Sequence, residues 1–312
     1  MQPRKLGQSG LSVTPLALGG NVFGWTADEP ASFAILDAFV AAGGNAIDTA
    51  DGYSSWVPGH QGGESETIIG RWLKRRGRRD DVLVCTKVGL WEKRKGLRRD
   101  NIIEGCEGSL RRLGVESIDL YWLHRDDEQI APDEFLGALD TLVAQGKVRA
   151  VGASNFGAPR FQAALDESRR SGKVAFVAQQ PEYSLLNRQI EKDLMPLCAR
   201  EGVGILPYYP LASGFLTGKY RSTADKAKSP RGGGAVKHLE GKGKPVLAAL
   251  DAVAARHGAT CAQVALAWIM TKPAIAAPIA SATSVAQVTE LMGALKIALT
   301  AADVAQLDEA SA

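Results

Sequence analysis

Four residues with reactive side chains stand where short apolar runs of the sequence end. An acid, Asp48, and a phenol, Tyr53, lie close together after one run. Lys87 ends a second run, and His124 ends a third. Because the carboxyl ends of parallel strands meet at one edge of a sheet, side chains at such ends would converge. The four residues are therefore candidates for one catalytic site.

The chemistry that this set suggests is proton donation to a carbonyl oxygen. A free tyrosine, with a pKa of about 10, is a weak acid at neutral pH. The ammonium group of Lys87 would favour the phenolate and lower the pKa of Tyr53. Asp48 would pair with Lys87 and keep it charged, and His124 would donate a hydrogen bond to the carbonyl oxygen. This set suits protonation of that oxygen as a hydride arrives at carbon, or the reverse reaction.

Alternating strands and helices would bring these residues to one rim. Such alternation predicts parallel strands joined by right-handed crossovers. The chain has 312 residues without a break in composition, which favours one closed barrel over two domains. We therefore predict an α/β fold, a (β/α)8 TIM barrel with an N-terminal β-hairpin and extra helices, as a single domain over residues 1–312. The eight strands are predicted at 16–18, in the segment that ends at Asp48, and at 82–87, 118–124, 148–154, 174–180, 204–209 and 275–279.

Helix signals separate the strands. Asp28 is predicted to cap the first helix and Asp100 to cap another. The stretch 212–244 is rich in Gly, Lys, Arg and Ser and is predicted to be a long loop. No G-x-G-x-x-G motif opens a helix after the first strand, which counts against a Rossmann domain. The remaining helices are predicted at 64–74, 132–146, 159–170, 188–200, 246–256, 261–270, 285–295 and 301–310.

Composition excludes some classes of function. A net charge of +3 is small for a nucleic-acid binder, and the basic run at 71–79 is predicted to be a solvated helix end. The four scattered cysteines include no C-x-x-C and are expected to be reduced. The first residues contain no apolar signal core, and no apolar stretch approaches the length of about 20 residues that spans a bilayer. We expect a cytoplasmic protein without nucleic-acid or membrane partners.

A metal centre is the less favoured alternative. Of the four histidines, only His124 ends a predicted strand, and neither H-x-H nor H-E-x-x-H occurs. No serine lies in a G-x-S-x-G elbow. A metal-dependent barrel hydrolase is therefore disfavoured, and no metal is expected.

A set of motifs is spread along the chain. The motifs are Lys5–Leu11, Ile47–Tyr53, Thr86-Lys87, Asp119–His124, Gly146–Arg149, Gly152–Phe156, Gln179–Ser184 and Pro207–Tyr220. Together they resemble the aldo-keto reductases over nearly the whole length. This family is a barrel of the predicted kind that uses a nicotinamide cofactor without a Rossmann domain. The resemblance implies that Tyr53 is the general acid, that Lys87 and Asp48 tune it, and that His124 orients the substrate.

The resemblance also implies a cofactor site. It assigns the nicotinamide carboxamide to Ser154, Asn155 and Gln179 and gives the ring a stacking partner in Tyr208. It assigns the pyrophosphate and adenosine portions to a larger set. That set is Pro210, Leu211, Ser213, Gly214, Lys219, Ser281, Thr283 and Gln287.

The 2′-phosphate end of this cofactor site departs from the family pattern. Ser284 stands where an arginine is common, and Leu291 replaces the usual asparagine. NADP is the expected cofactor, and NAD is possible. A basic cluster in the stretch 212–244 would supply charge to the phosphate if its loop closed, or would be a solvated loop. This cluster is Lys226, Lys228, Arg231 and Lys237.

Loops after the strands would line the substrate pocket. The candidates are Phe23, Trp25, Trp56, Trp91 and Arg125, and the tryptophans would either stack on a ring or pack the rim. We predict an NAD(P)H-dependent enzyme that reversibly reduces aldehydes or ketones, with sugars or other polar carbonyl compounds as substrates. The alternative is a redox-sensing regulatory subunit that holds the cofactor and turns over little. The partner is expected to be a small carbonyl or alcohol substrate, and the sequence does not specify the oligomeric state.

Overall fold

Eight parallel strands form the centre of the protein, whose residues 2–312 are described by a computed structural model. A short antiparallel hairpin, β1 (Arg4–Lys5) with β2 (Ser12–Val13), precedes them. A second hairpin, β6 (Leu90–Trp91) with β7 (Arg94–Lys95), follows the third barrel strand and was not predicted. The barrel strands are β3 (Ala17–Gly19), β4 (Ala46–Asp48), β5 (Leu83–Val88), β8 (Ile118–Leu123), β9 (Val148–Ser154), β10 (Ala178–Gln180), β11 (Gly204–Ile205) and β12 (Ile279–Ala280).

These strands close into a barrel. Their hydrogen-bonded order is β11-β10-β9-β8-β5-β4-β3-β12, all parallel. A parallel bridge between Ile205 and Ile275 joins the two ends of this order. The amide of Ala276 donates to the carbonyl of Ile205 at 2.8 Å across the same seam. The predicted (β/α)8 barrel, with its N-terminal hairpin, is confirmed.

Helices surround the barrel at nearly all predicted places. Asp28 caps the first helix, where its carboxylate accepts a hydrogen bond from the amide of Ala31 at 2.9 Å. The predicted cap at Asp100 is wrong, since Arg98 occupies the cap position and Asp100 lies in the first turn. The helices are α1 (Glu29–Ala41), α2 (Glu64–Arg76), α3 (Arg99–Leu113), α4 (Pro132–Ala144), α5 (Ala158–Ser171), α6 (Leu194–Glu201), α7 (Gly232–Ala235), α8 (Gly243–His257), α9 (Cys261–Met270), α10 (Val285–Gly293) and α11 (Ala301–Ala310).

The main errors of prediction lie in the last third of the barrel. The segment 212–244 is not one loop, because short helical turns at 212–217, 223–228 and 236–239 flank α7. The predicted helix over 188–200 is broken into a turn at 189–191 and α6. The predicted sixth, seventh and eighth strands shrink to β10, β11 and β12. The short helices of this polar segment could not be predicted from its composition, because they depend on tertiary packing for their stability.

The barrel interior is filled around one large side chain. Trp122 on β8 is fully buried there, among small residues such as Ala46 and Ala150. A Cβ at Gly152 on the adjacent β9 would lie 2.4 Å from the Trp122 ring, so only glycine fits. The N-terminal hairpin contributes Leu6 to the same interior cluster and so covers one end of the barrel.

The first residues are tied to the segment that precedes the last barrel strand. The Arg4 guanidinium donates to the carbonyl of Ile275 at 2.6 Å and to that of Met270 at 3.0 Å. The amide of Ala17 donates to the carbonyl of Pro278 at 3.0 Å. The N-terminal residues and the segment 270–278 therefore meet where the barrel closes.

Three general features bear on function. No single helix within residues 2–312 is long and apolar enough to cross a membrane, and only the bent pair 285–296 and 301–310 reaches that length and composition together. In the same residues, no three histidine, cysteine or acidic side chains come together as a metal-binding group. All four cysteines are free and buried.

Candidate active site

Lys87, on β5, is the centre of the candidate site. Its side chain is fully buried and donates three hydrogen bonds, the full capacity of an ammonium group. The acceptors are the carboxylate of Asp48, the carbonyl of Thr49 at 2.7 Å and the phenol of Tyr53 at 3.0 Å. The ammonium is therefore fixed in direction, and one of its hydrogens points at the phenol.

Asp48 holds this arrangement from β4, the strand beside β5. One carboxylate oxygen faces Lys87, and the other accepts a hydrogen bond from the amide of Gln180 at 3.1 Å. Burial by itself would lower the pKa of Lys87, but attraction to Asp48 and Tyr53 outweighs burial and raises it. The lysine therefore carries its charge throughout the physiological range.

The phenol of Tyr53 has a raised pKa, opposite to the direction predicted from the sequence. Burial of the phenol is the largest cause, and it outweighs the lowering by the Lys87 ammonium. The negative charge of Asp48 raises the pKa of Tyr53 as well. Tyr53 therefore keeps its proton at neutral pH, while its bond to Lys87 prepares it to release that proton.

His124 follows β8 and faces the phenol. The rings of His124 and Tyr53 are 6.0 Å apart at an angle of 71°. Burial lowers the pKa of His124 well below its usual value, and the charges of Lys87 and Arg125 lower it further. The imidazole is therefore neutral and can donate one N–H to a carbonyl oxygen near Tyr53. Asp48, Tyr53, Lys87 and His124 thus meet at one rim.

Gln179, on β10, carries a buried amide acceptor without a partner. Its side-chain nitrogen donates to the carbonyl of Phe156 at 3.0 Å. Its side-chain oxygen is buried and has no hydrogen-bond partner within residues 2–312. A buried acceptor without a partner is costly, so a ligand donor would stabilise it. The next residue, Gln180, faces the opposite side of the strand and contacts Asp48, so the structure brings Gln180 to the catalytic group.

Asn155 joins three strand ends at the same rim. Its side chain donates to the carbonyl of His124 at 2.9 Å and accepts from the hydroxyl of Tyr208 at 2.7 Å. Its backbone is left-handed, with φ of 57°, an uncommon conformation for a residue other than glycine. Ser154 uses its hydroxyl to bind the carbonyl of Gln180 at 2.9 Å. Both side chains therefore hold the rim in shape and keep only part of their capacity for a cofactor.

Residues 212–214, after β11, form a backbone turn suited to phosphate, which we call the cradle. Ala212, Ser213 and Gly214 have successive positive φ values of 47°, 57° and 90°. A Cβ at Gly214 would lie 3.7 Å from the Lys219 ammonium, which places that charge beside the cradle. Successive turns of this kind with a nearby cation are typical of anion sites. Pro210 is buried at the start of this segment, and the carbonyl of Leu211 accepts from the amide of Gly214 at 2.9 Å.

The predicted adenosine end lies around the start of α10. Ser281 already uses its hydroxyl to bind the side chain of Asn21 at 2.6 Å. The Gln287 side chain accepts from the amide of Thr283 at 2.8 Å, and Ser284 caps the helix. No arginine or lysine lies within residues 281–290. This end therefore offers hydroxyls and a helix N-terminus to a phosphate.

The predicted substrate residues separate into two groups. Trp25 and Trp56 lie edge to face, 5.7 Å apart, and Trp56 lies 6.1 Å from Tyr53. Phe23, by contrast, is fully buried in the core, and a ring without exposed surface does not line a pocket. Trp91 packs against the Tyr53 loop, because a Cβ at Gly62 would lie 2.6 Å from its indole.

Several residues of the site were not predicted from the sequence. Gln180, the Thr49 carbonyl and Asn21 are among them, although Gln180 follows a predicted site residue directly. Arg125 was predicted and is exposed beside His124, whose pKa it lowers. Arg231, one residue of the basic cluster, is half-buried and lies over the Trp25 ring, 5.2 Å from its centre.

Behind Tyr53 lies an acid with no evident role in proton transfer. Asp51 is fully buried, and neither carboxylate oxygen has a hydrogen-bond partner in the described part of the chain. Burial, followed by repulsion from Glu66, raises the pKa of Asp51 to about 8, although the charge of Arg112 opposes the shift. The carboxyl is therefore protonated in the folded protein at neutral pH.

We expect Asp51→Asn to stabilise the protein increasingly as pH rises. Below about pH 4 both the folded and unfolded carboxyls are protonated, so the variant gains nothing. Between about pH 4 and pH 8 only the unfolded state ionises, so the wild type loses stability with rising pH. Above about pH 8 the free energy of unfolding of Asp51→Asn should exceed that of the wild type by a constant amount of a few kcal/mol. Urea unfolding from pH 5 to 9 measures it.

The matched control for this prediction is Asp80→Asn, which changes an exposed carboxylate on the same protein. Its effect on unfolding should be small and nearly constant over the same pH range. A pH-independent difference between Asp51→Asn and the wild type would contradict the assigned protonation of Asp51.

The chain is similar to known proteins over nearly its whole length. The model of the aldo/keto reductase family matches residues 15–312. Norsolorinic acid reductase B of Aspergillus parasiticus is 34% identical over 96% of this chain and 81% of its own. Aryl-alcohol dehydrogenase, NADP(+), of Phanerodontia chrysosporium is 33% identical over 95% and 84%. A probable voltage-gated potassium channel subunit beta of Oryza sativa subsp. japonica is 33% identical over 95% and 92%.

Proposed function

The chain belongs to the aldo/keto reductase family of oxidoreductases, and from this premise we propose that it reduces aldehydes or ketones to alcohols with NAD(P)H. The observation that carries the proposal is the buried Lys87 ammonium, fixed by Asp48 and bonded to the Tyr53 phenol at 3.0 Å. A protonated phenol tied to a fixed cation is a group that can donate a proton and bear the resulting charge.

In the proposed reaction, Tyr53 and His124 both donate to the carbonyl oxygen of the substrate. Tyr53 gives its proton to that oxygen as the carbonyl becomes an alkoxide, and Lys87 stabilises the phenolate left behind. His124, neutral because of its burial, donates a hydrogen bond to the same oxygen and sets its direction. When bound, the reduced nicotinamide supplies the hydride to the carbonyl carbon. In the oxidation direction Tyr53 accepts the proton of the alcohol, so the same residues serve both directions.

The residues that would hold the cofactor fit its separate parts. The free oxygen of Gln179 would accept from the carboxamide, and the face of the half-buried Tyr208 would support the nicotinamide ring. The cradle at 212–214, with Lys219, would bind the pyrophosphate. Thr283 and the first turn of α10 would receive the adenosine end.

NADPH is the proposed cofactor, with a modest preference over NADH. A relative of the chain carries NADP(+) in its name, and a helix N-terminus favours a 2′-phosphate. Since no guanidinium stands at residues 281–290, the preference should be no more than about tenfold in kcat/KM, equivalent to about 1.4 kcal/mol.

A panel of small aldehydes, ketones and sugars, assayed with NADPH and with NADH in parallel, tests the proposal. We expect substrate-dependent loss of the reduced nicotinamide absorbance with at least one carbonyl class, faster with NADPH. A clear preference for NADH would contradict the cofactor assignment and leave the reaction intact.

A different result would favour a regulatory role. Relatives in Oryza sativa and Arabidopsis thaliana are named probable potassium channel subunits beta. If the purified protein retained cofactor tightly through gel filtration and turned over no compound of the panel, the reductase proposal would fail. The redox-sensing alternative would then be preferred.

A further inference from the structure

The loop between β4 and α2, residues 49–63, carries Tyr53 and contains neither strand nor helix. From Tyr53 onward its backbone bonds are turns within the loop, as where the amide of Ser55 donates to the carbonyl of Gly52 at 3.2 Å. The phenol of Tyr53 nevertheless lies within hydrogen-bond distance of Lys87 on β5. The place of the phenol therefore depends on side chains that pack against the loop.

Trp91, on β6, packs against both ends of this loop. A Cβ at Gly52 would lie 3.0 Å from the Cβ of Trp91, and a Cβ at Gly62 would lie 2.6 Å from its indole nitrogen. The two glycines leave room for the half-buried indole. Trp91 therefore lies against the residue that directly precedes Tyr53.

Arg112, near the end of α3, supports Trp91. Its guanidinium lies over the Trp91 ring, 5.7 Å from the ring centre. Its stem passes the end of the loop, since a Cβ at Gly63 would lie 2.5 Å from the Cδ of Arg112. A planar guanidinium stacks on an aromatic face in a way that a lysine ammonium does not. Arg112 therefore holds the indole in its place beside the loop.

Glu66, in the first turn of α2, anchors Arg112 to the strand that carries Lys87. Its carboxylate is fully buried and accepts a hydrogen bond from the Arg112 guanidinium at 2.6 Å. The other carboxylate oxygen accepts from the hydroxyl of Thr86 at 2.5 Å, and Thr86 directly precedes Lys87 on β5. A continuous path of contacts therefore runs from β5 through Arg112 and Trp91 to the loop of Tyr53.

We propose that Arg112 is a positioning residue of the reductase, which holds Trp91 against the loop and so keeps the Tyr53 phenol at its distance from Lys87. This inference rests on the proposed function. The hydrogen bonds of Arg112 within residues 2–312 go to Glu66 and Ser109 rather than to the four reactive residues, so it acts through other side chains. The effect on rate is large, because a displacement of about 1 Å at a reacting group can lower the rate about 100-fold.

The kinetics of Arg112 variants test this inference. With the compound of the carbonyl panel that the wild type reduces fastest, Arg112→Gln should lower kcat by about 10- to 100-fold. KM for that compound and the dissociation constant of NADPH should change little, because only the proton donor is displaced. Arg112→Lys keeps a cation for Glu66 without the planar guanidinium, so it should retain part of kcat.

Two further variants identify the source of the loss. Arg111→Gln changes the exposed neighbour on the same helix and should leave kcat unchanged. If Arg112 acts through Trp91, then Arg112→Gln combined with Trp91→Ala should lose no more kcat than Trp91→Ala alone. Losses that multiply in the double variant would overturn the inference.

The charge of Glu66 requires a separate check on folding. Arg112→Gln leaves this carboxylate buried without its charge partner, so stability should fall, whereas Glu66→Gln/Arg112→Gln removes both charges and should recover the fold. The kcat of this double variant should stay low, because the guanidinium over Trp91 is still absent. Recovery of both stability and kcat would mean that Arg112 serves only to neutralise Glu66, and would overturn the inference.

The remaining outcomes are also decisive. Full kcat in Arg112→Gln would overturn the inference while leaving the reductase function standing. Equal losses of kcat and NADPH affinity in that variant would indicate general disruption of the barrel rim and would also overturn it. Absence of turnover by the wild type for the whole carbonyl panel would overturn the proposed function, and the inference with it.

Discussion

Tyr53→Phe is expected to reduce kcat for carbonyl reduction by about 10³-fold, within the range for loss of a general acid. The phenol both contacts Lys87 and faces His124. Cofactor affinity should remain, because the carboxamide acceptor and phosphate cradle lie on other strands. Steady-state kinetics and fluorescence titration of NADPH measure the two quantities.

The structure provides a check on folding for this variant. Loss of the phenol removes one hydrogen bond, so the free energy of unfolding should fall by only about 1 kcal/mol. Full activity of Tyr53→Phe would remove the phenol from the mechanism. A collapse of stability together with activity would mean that the hydroxyl is chiefly structural.

Lys87→Met is expected to be costly for both stability and turnover. It removes the cation from a fully buried pair and leaves the Asp48 carboxylate without its charge partner. Breaking such a pair typically costs about 3–5 kcal/mol. Turnover should also fall, because the phenolate left by proton transfer loses its stabilising charge. Urea unfolding and kinetics with a saturating cofactor concentration measure the losses.

The double variant Asp48→Asn/Lys87→Met separates the two losses. Removing the second charge should recover part of the stability, because no uncompensated charge then remains buried. It should recover no activity, because the phenol still lacks its ammonium. Equal stability of the single and double variants would show that Asp48 carries no charge in Lys87→Met, and that no uncompensated carboxylate causes the loss.

The convergence of the four reactive residues could be predicted because it depends on strand order. Asp48, Lys87 and His124 lie at or just beyond the carboxyl ends of β4, β5 and β8, and a parallel sheet places those ends side by side. Period and composition identify those strands without knowledge of tertiary contacts.

The electrostatics of the site could not be predicted in the same way. The pKa of Tyr53 depends on how many atoms enclose the phenol, and the sequence shows only that a lysine is available. The unpaired oxygen of Gln179 and the position of Arg231 likewise depend on contacts far along the chain. Motifs indicated the residue types. Burial and tertiary contacts decide which of these side chains are protonated and which of their polar atoms lack a hydrogen-bond partner.

The bonds of Arg4 have a consequence for synthesis of the protein on the ribosome. Its acceptors, the carbonyls of Ile275 and Met270, lie 271 and 266 residues further along the chain. The seam therefore stays open until residues 270–278 have been made, and the first hairpin must wait for that segment. Folding of such distant contacts is slow, and unpaired strand edges are prone to aggregation. The emerging polypeptide would thus depend most on chaperone protection before this segment leaves the ribosome.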